Sequence, residues 1–446
     1  MNKIIKLFIL MSSIIIGYNC NAEDLLQIYK ITKDNNPVLK KIESERYQAY
    51  KKIDEARSPL LPQLNVTANS SYKNSDEINN KKNIKNSEVS LHVIQSIIDI
   101  SKWQSLSIQE KNAAVSNINY QVSQQDLLLE TAISYFNILK SIDALTYLKA
   151  HKLAVYNQLD QTTQRFNVGL TTITDVQNAR ANYDSIIAQE VLGYNELKNS
   201  VEILRKISGV QYTQLAKLNI NKLQPTKPDN ITFLLENARI KNLSLLKSRL
   251  TQEISNDKIS LAKSGHLPVV TLNASTTLNS TQYDKNSFES LYKTNNHSGK
   301  NQTALSLNLP IYQGNAVNSQ VIQAQYDFQA KTEQLESDIR KLIHQINSSY
   351  NDILSSISHI NAYKQLTVST QSSLDATEAG YQVGTRTIVD VLSATSALYQ
   401  SKQKLSNAQY DYIINQLKME YLQGSLNENS IQRINNMLED EIFIPS

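Results

Sequence analysis

One nine-residue motif occurs twice in this chain. Val168-Gly169-Leu170-Thr171-Thr172-Ile173-Thr174-Asp175-Val176 returns 215 residues later as Val383-Gly384-Thr385-Arg386-Thr387-Ile388-Val389-Asp390-Val391. A second set of matches runs at an offset of 206 residues: Asn36, Leu39, Ile53, Ala56, Leu61-Pro62 and Ala68 reappear as Asn242, Leu245, Ile259, Ala262, Leu267-Pro268 and Ala274. Both halves keep one order of patterns: helix, Leu-Pro, strands, helix, Val-Gly turn, helix. A chain made of two like halves requires an architecture that accommodates them equivalently.

Only 10 glycines and 8 prolines occur in 446 residues, far fewer than a turn-rich fold uses, so the elements must be long. Residues 101–166 and 315–379 contain neither proline nor glycine, so each reads as one helix; about 65 residues at about 1.5 Å each extend roughly 100 Å. Returning helices are expected over about 172–207 and 387–423. Val391, Leu398, Leu405, Tyr412 and Met419 are spaced by seven, as are Val176, Tyr183, Leu197 and Leu204 with Glu190 as a break. Leu128, Ala132, Tyr135, Leu139 and Ile142 form one apolar stripe and Leu129, Ile133 and Phe136 a second, so this helix has two helical neighbours. Such patterning alone fits a filamentous coiled-coil tether.

The tether reading fails to explain alternating segments at matching places in both halves. Leu64, Val66, Ala68, Ser70 and Tyr72 alternate with Asn65, Thr67, Asn69 and Ser71, and Val270, Leu272, Ala274, Thr276 and Leu278 with Thr271, Asn273, Ser275 and Thr277. Val89, Leu91, Val93 and Leu305, Leu307, Leu309 alternate likewise. Period-two patterning of about ten residues fits a tilted membrane strand and equally a half-buried sheet of a soluble protein. Polar loops are expected at about 74–86 and 282–299. Four strands cannot close a membrane barrel, and lipid tolerates no open edge, so membrane strands here require several subunits sharing one barrel.

Residues 1–22 read as a secretory signal: Lys3 and Lys6, an apolar stretch from Leu7 to Ile16, and a small-residue cleavage site at Cys20-Asn21-Ala22. Gly17-Tyr18-Asn19 makes a poor lipobox for Cys20, the only cysteine, so the mature chain is expected to begin at Glu23 without a thiol. Removing the two lysines takes the formal charge from +4 to +2, which gives no reason to expect nucleic acid. His92, His151, His266, His297, His344 and His359 are scattered rather than set at ligand spacing, and no nucleophile elbow, phosphate loop or dinucleotide glycine pattern occurs; neither a metal, a cofactor nor an enzyme is expected.

Thr172-x-x-Asp175 and Thr387-x-x-Asp390 each read as a capping box opening the returning helix, with Gly169 and Gly384 closing the preceding one. That structural account needs no function. The runs Ile53–Leu64 (IDEARSPLLPQL), Gln158–Leu170 (QLDQTTQRFNVGL), Ile173–Ala181 (ITDVQNARA) and Val383–Leu392 (VGTRTIVDVL) resemble the TolC-type outer-membrane efflux channels, the outer membrane factor family, with likeness from Glu23 to about Asn427.

The resemblance implies a mainly α protein with a membrane β-barrel portion. Three identical chains would each give four strands to one twelve-stranded barrel, continuous with a long α-helical coiled-coil barrel. The expected division is a signal at 1–22 and a first repeat at 23–223, with helix 23–61, strands 62–99 and hairpin 100–207. A second repeat would occupy 224–430, with helix 229–266, strands 268–313 and hairpin 314–423, followed by a short tail at 431–446. The resemblance further implies an outer-membrane exit duct for tripartite drug efflux and type I protein secretion, extending into the periplasm. Its partners would be outer-membrane lipid, a periplasmic adaptor docking at the Gly169 and Gly384 turns, and an inner-membrane pump or ATP-driven exporter. By the same resemblance Tyr381 and Arg386 latch the entrance against Thr174 and Asp175 of the neighbouring hairpin; the first half has Phe166 and Thr171 in their places. Asp390 would form an acidic ring at the constriction, and Ser393 stands where the family pattern has a second aspartate. The family's long polar C-terminal tail is nearly absent.

Overall fold

The structure, a computed structural model, describes residues 23–77, 80–283 and 295–445. The expected signal at 1–22 lies outside them. The helices are α1 (Leu25–Asn35), α2 (Pro37–Arg57), α3 (Ile100–Asn167), α4 (Ile173–Ser208), α5 (Ile231–Lys241), α6 (Leu243–Lys263), α7 (Ala316–Gln382), α8 (Ile388–Leu422) and α9 (Glu428–Asn435). The strands are β1 (Gln63–Glu77), β2 (Asn80–Ile98), β3 (Gln214–Leu218), β4 (Val269–Tyr283), β5 (Asn295–Asn308) and β6 (Leu438–Phe443). Two compact units result. Of the described residues, one comprises 23–40, 123–242 and 341–445 and the other those within 41–122 and 243–340, so each draws on both sequence halves.

In the unit of residues 41–122 and 243–340, the strands form one antiparallel sheet in the order β1-β2-β4-β5. Pairing Leu64 with Val93, Val93 with Ala274, and Leu272 with Leu305 gathers the apolar residues of all four strands on one face. Thr67, Ser90, Thr277 and Lys300 are paired in turn across the other. The expected polar loop at 74–86 is instead mostly strand, because pairing continues to Glu77 and Asn80. Ladder hydrogen bonds are made by the backbone and persist where the side chains cease to alternate. The helices of this unit pack antiparallel through polar pairs. Lys111 meets Asp257 at 2.7 Å and Asn119 meets Lys247 at 2.8 Å, joining α3 to α6. Ser248–Asp338 at 2.6 Å and Gln252–Thr332 at 3.0 Å join α6 to α7.

In the other unit, two helical hairpins pack side by side. Within the first, Ser141 meets Ser200 at 3.3 Å and Lys152 meets Glu190 at 2.5 Å, so the residue that interrupts the α4 heptads is an ion-pair partner. Within the second, Asn415 bonds Ser356 at 3.1 Å and Thr370 meets Ser401 at 3.0 Å. The hairpins join through α3 and α8, where Lys140–Asp411 (2.9 Å), His151–Tyr399 (ring centroids 5.1 Å) and Gln158–Thr395 (2.8 Å) run antiparallel. The Leu128-to-Ile142 stripe is buried throughout, and Phe136 of the second stripe packs edge-on to Tyr135 at 5.6 Å.

The expected single helices 23–61 and 229–266 are each broken, at Asn36 and Asn242. These two residues adopt nearly the same extended conformation, φ −65° ψ 118° and φ −64° ψ 118°. Asn36 Nδ2 donates to the Ile207 carbonyl at 3.1 Å and Asn242 Nδ2 to the Leu422 carbonyl at 2.8 Å, so each closes the end of its own half's returning helix. The tail beyond residue 430 is folded rather than loose. Ile431 and Ile434 of α9 are buried, and β6 pairs antiparallel with β3.

Candidate functional site

Both hairpin turns fold as their local chemistry requires. Helix α3 ends at Gly169 (φ 76°), where Gly169 N–H donates to the Phe166 carbonyl at 2.9 Å and Leu170 N–H to that of Arg165 at 2.8 Å. Helix α7 ends at Gly384 (φ 79°), with Gly384 N–H to Tyr381 at 3.1 Å and Thr385 N–H to Gly380 at 2.9 Å. A side chain at positive φ is strained, so glycine closes both helices. The next helices open on capping boxes. Thr172 Oγ1 accepts from Asp175 N–H at 3.3 Å while Asp175 Oδ2 accepts from Thr172 N–H at 3.2 Å; Thr387 and Asp390 repeat this at 3.2 and 2.9 Å.

Local hydrogen bonds lower the pKa of both carboxylates. A hydrogen bond from the Thr171 hydroxyl, at 2.6 Å, lowers the Asp175 pKa, aided by Thr172. Asp390 is lowered first by the Thr387 backbone N–H, then by the Thr387 hydroxyl and the charge of Arg386. Both bonds from Thr387 to Asp390 land on Oδ2. Ser393, one turn further along α8, is exposed and lines a groove of about 590 Å³ with Asn178, Asn182, Val389, Leu392 and Gln400.

Tyr381 is buried in the cluster formed by Val155, Ala179, Ile186, Leu374 and Ile388, with its hydroxyl 3.5 Å from Thr162 Oγ1. The Arg165 guanidinium lies 4.5 Å above its ring and donates to the Tyr381 and Gln382 carbonyls at 3.3 and 3.4 Å. Within one chain, then, Tyr381 meets the first hairpin at Thr162 and Arg165, while Asp175 is engaged by its own turn and Thr174 is exposed. Arg386 packs across Gly380, where an added Cβ would lie 2.7 Å from Arg386 Cγ. Arg165 escaped the sequence reading because its target is 216 residues away. The one local signal is the exchange between halves, Arg165 with Thr171 in the first turn and Gly380 with Arg386 in the second. Val168, Leu170 and Val383 are exposed at the turns.

Capped hairpins in one unit and a four-stranded antiparallel sheet with one exposed apolar face in the other define a mainly α class of proteins that combines long helices with a small sheet. The outer membrane efflux protein family matches residues 28–210 and 234–425. The chain is 50% identical to the outer membrane protein TolC of Escherichia coli (strain K12) over 424 residues, covering 94% of this chain and 86% of that protein. It is 24% identical to the proteases secretion protein PrtF of Dickeya chrysanthemi over 94% of this chain and 92% of that one. Among solved structures, CusC superposes with a TM-score of 0.80 at 17% identity, over 90% of this chain and 92% of CusC. The chain belongs to the outer membrane efflux protein family of TolC-type channels, and is an outer-membrane protein rather than an enzyme.

Proposed function

We propose that three copies of this chain assemble into an exit duct. Each sheet would contribute its four strands to a common twelve-stranded barrel, and the helical hairpins would line a periplasmic passage. One observation carries this reading: a sheet whose apolar face is exposed and whose terminal strands, β1 and β5, have no further neighbour among the described residues. An open edge in lipid leaves backbone groups unpaired, and closure with other copies removes it. Kinship with TolC and with a protease secretion protein supports a role in both small-molecule efflux and type I secretion. Energy would come from an inner-membrane pump or exporter, and the exposed apolar residues Val168, Leu170 and Val383 at the turns would receive a periplasmic adaptor.

The turns would also be the gate. Tyr381 and Thr162 hold the two hairpins of one chain together, which leaves Arg386 to reach Thr174 and Asp175 of an adjacent copy by a charge-assisted bond. Purified protein in a planar bilayer is expected to conduct weakly as a trimer, and Arg386→Glu to raise the closed-state conductance severalfold. A monomer without conductance would refute the duct and leave a periplasmic tether. A conducting trimer indifferent to Arg386→Glu would refute the latch alone.

A further inference from the structure

Rows of side chains cross the apolar face of the sheet at fixed heights. Same-face residues are about 6.6 Å apart along a strand and neighbouring strands about 4.8 Å apart. The row of Val270 and Leu307 lies at the helical end. Ten residues further along β4, Ser70, Ser87, Ser280 and His297 are paired in sequence across all four strands. Ten residues advance about 33 Å along a strand, which a tilt of about 35–45° reduces to about 25 Å of height, the thickness of the apolar band of a membrane barrel. The hydroxyl row therefore sits at the outer end of that band. Tyr72 and Lys85, paired in the next row, stand just beyond it.

This row is recessed as well as polar. Ala68 and Gly299 in the row below border a depression of about 630 Å³ that Leu278 and His297 also line. Ser70 and Ser87 hydroxyls are 3.5 Å apart; Glu88 also borders the depression, but its side chain alternates to the opposite face, where its carboxylate accepts from the Ser90 hydroxyl at 3.1 Å. Among the described residues of these two rows, this face offers an ammonium, an imidazole and hydroxyl donors over an apolar floor. An anionic group attached to a hydrocarbon chain matches both parts: its oxygens accept from the donors, and its chain lies along the apolar strands below.

We propose that this patch binds the phosphorylated headgroup of an outer-leaflet lipid, with Lys85 as the charged contact and His297, Ser70, Ser87 and Ser280 as hydrogen-bond donors. The inference rests on the barrel reading, since only a closed barrel turns this face to lipid. Its test is native mass spectrometry of the detergent-purified trimer with lipid A, with the same lipid dephosphorylated, and with inorganic phosphate. Retention of lipid A is expected to exceed that of the dephosphorylated form about tenfold, and Lys85→Ala/His297→Ala to abolish the difference. Ser280→Leu, which fills the recess without altering charge, is expected to weaken retention in its own right. Equal retention of the two lipids, or a double variant that still discriminates, overturns the proposal. So does saturation by inorganic phosphate at the lipid's own affinity, which would mark an adventitious ion site only. Bilayer conductance of the same sample separates the two readings: a conducting trimer that fails to discriminate sinks the lipid site alone, and a preparation that does not insert sinks both.

Discussion

His151 is buried on α3 with its ring stacked on Tyr399 of α8, and its Nε2 has no hydrogen-bond partner among the described residues. Burial lowers its pKa from the ordinary value of 6.5, because a charged imidazole would be stripped of water there without a compensating contact. Lys152 beside it in sequence is committed to Glu190, so burial alone sets the direction of the shift. The unfolded chain therefore takes up the proton more readily than the folded one. The stabilising contribution of neutral His151 is complete above pH 6.5 and is lost as pH falls from 6.5 towards the lowered folded value. The protein should lose stability to thermal unfolding across that interval, and His151→Gln should flatten the slope. Equal slopes in the two proteins would dismiss this account. Asp175 and Asp390 behave in the same sense at lower pH: their lowered values make the capping boxes strongest above the usual carboxylate range and weaken them as pH falls through it.

At the scale of elements, one asparagine in each half ends a helix, starts the next and closes a third. Asn36 Oδ1 accepts from Val38 and Leu39 N–H at 3.0 Å each, capping α2, while its Nδ2 serves the last turn of α4 through Ile207. Asn36→Asp keeps the acceptor and removes the donor, whereas Asn36→Ala removes both. Hydrogen exchange at the Val38 and Leu39 amides should stay slow in the aspartate variant and become fast in the alanine variant. The alanine change should cost about 1–3 kcal/mol, because it leaves buried partners unsatisfied. Exchange equally fast in both variants would contradict the capping role. This joint also marks the boundary of what could be read from sequence. Capping boxes, Val-Gly turns and heptad stripes rest on residues within a turn or two of each other, and they are where the patterns place them. Asn36 occupies the middle of an otherwise helical pattern with no glycine before it; Pro37 alone hints at a break, and Asn242 lacks even that. β3 and β6 are only 5 and 6 residues long and are far apart in the chain, so no local period reveals their pairing.

Whole-molecule behaviour follows from the proposed threefold assembly, which multiplies every side chain near the axis. Asp390 uses Oδ2 for its cap bonds, and Oδ1 is uncommitted among the described residues, so the carboxylate can meet a cation without opening the helix. Three such groups would make one acidic ring. Ser393 lies three residues further along α8, a rise of about 4.5 Å, and supplies a hydroxyl where a second ring of charge would otherwise stand. A multivalent cation at the constriction then meets three carboxylates instead of six. Each unit charge pair at about 4 Å contributes roughly 1 kcal/mol even in water, and about 1.4 kcal/mol is tenfold in affinity. Ser393→Asp should therefore tighten block by a trivalent cation by about tenfold or more in single-channel recordings, with stronger cation selectivity. Asp390→Asn should abolish block in both backgrounds if the first ring is required for capture. Since that change weakens the cap as well, Asp390→Glu serves as the companion that keeps the charge. Unaltered block in Ser393→Asp, in a protein that still conducts as a trimer, would show that position 393 does not face the ion path, and the constriction would have to be sought elsewhere along α8.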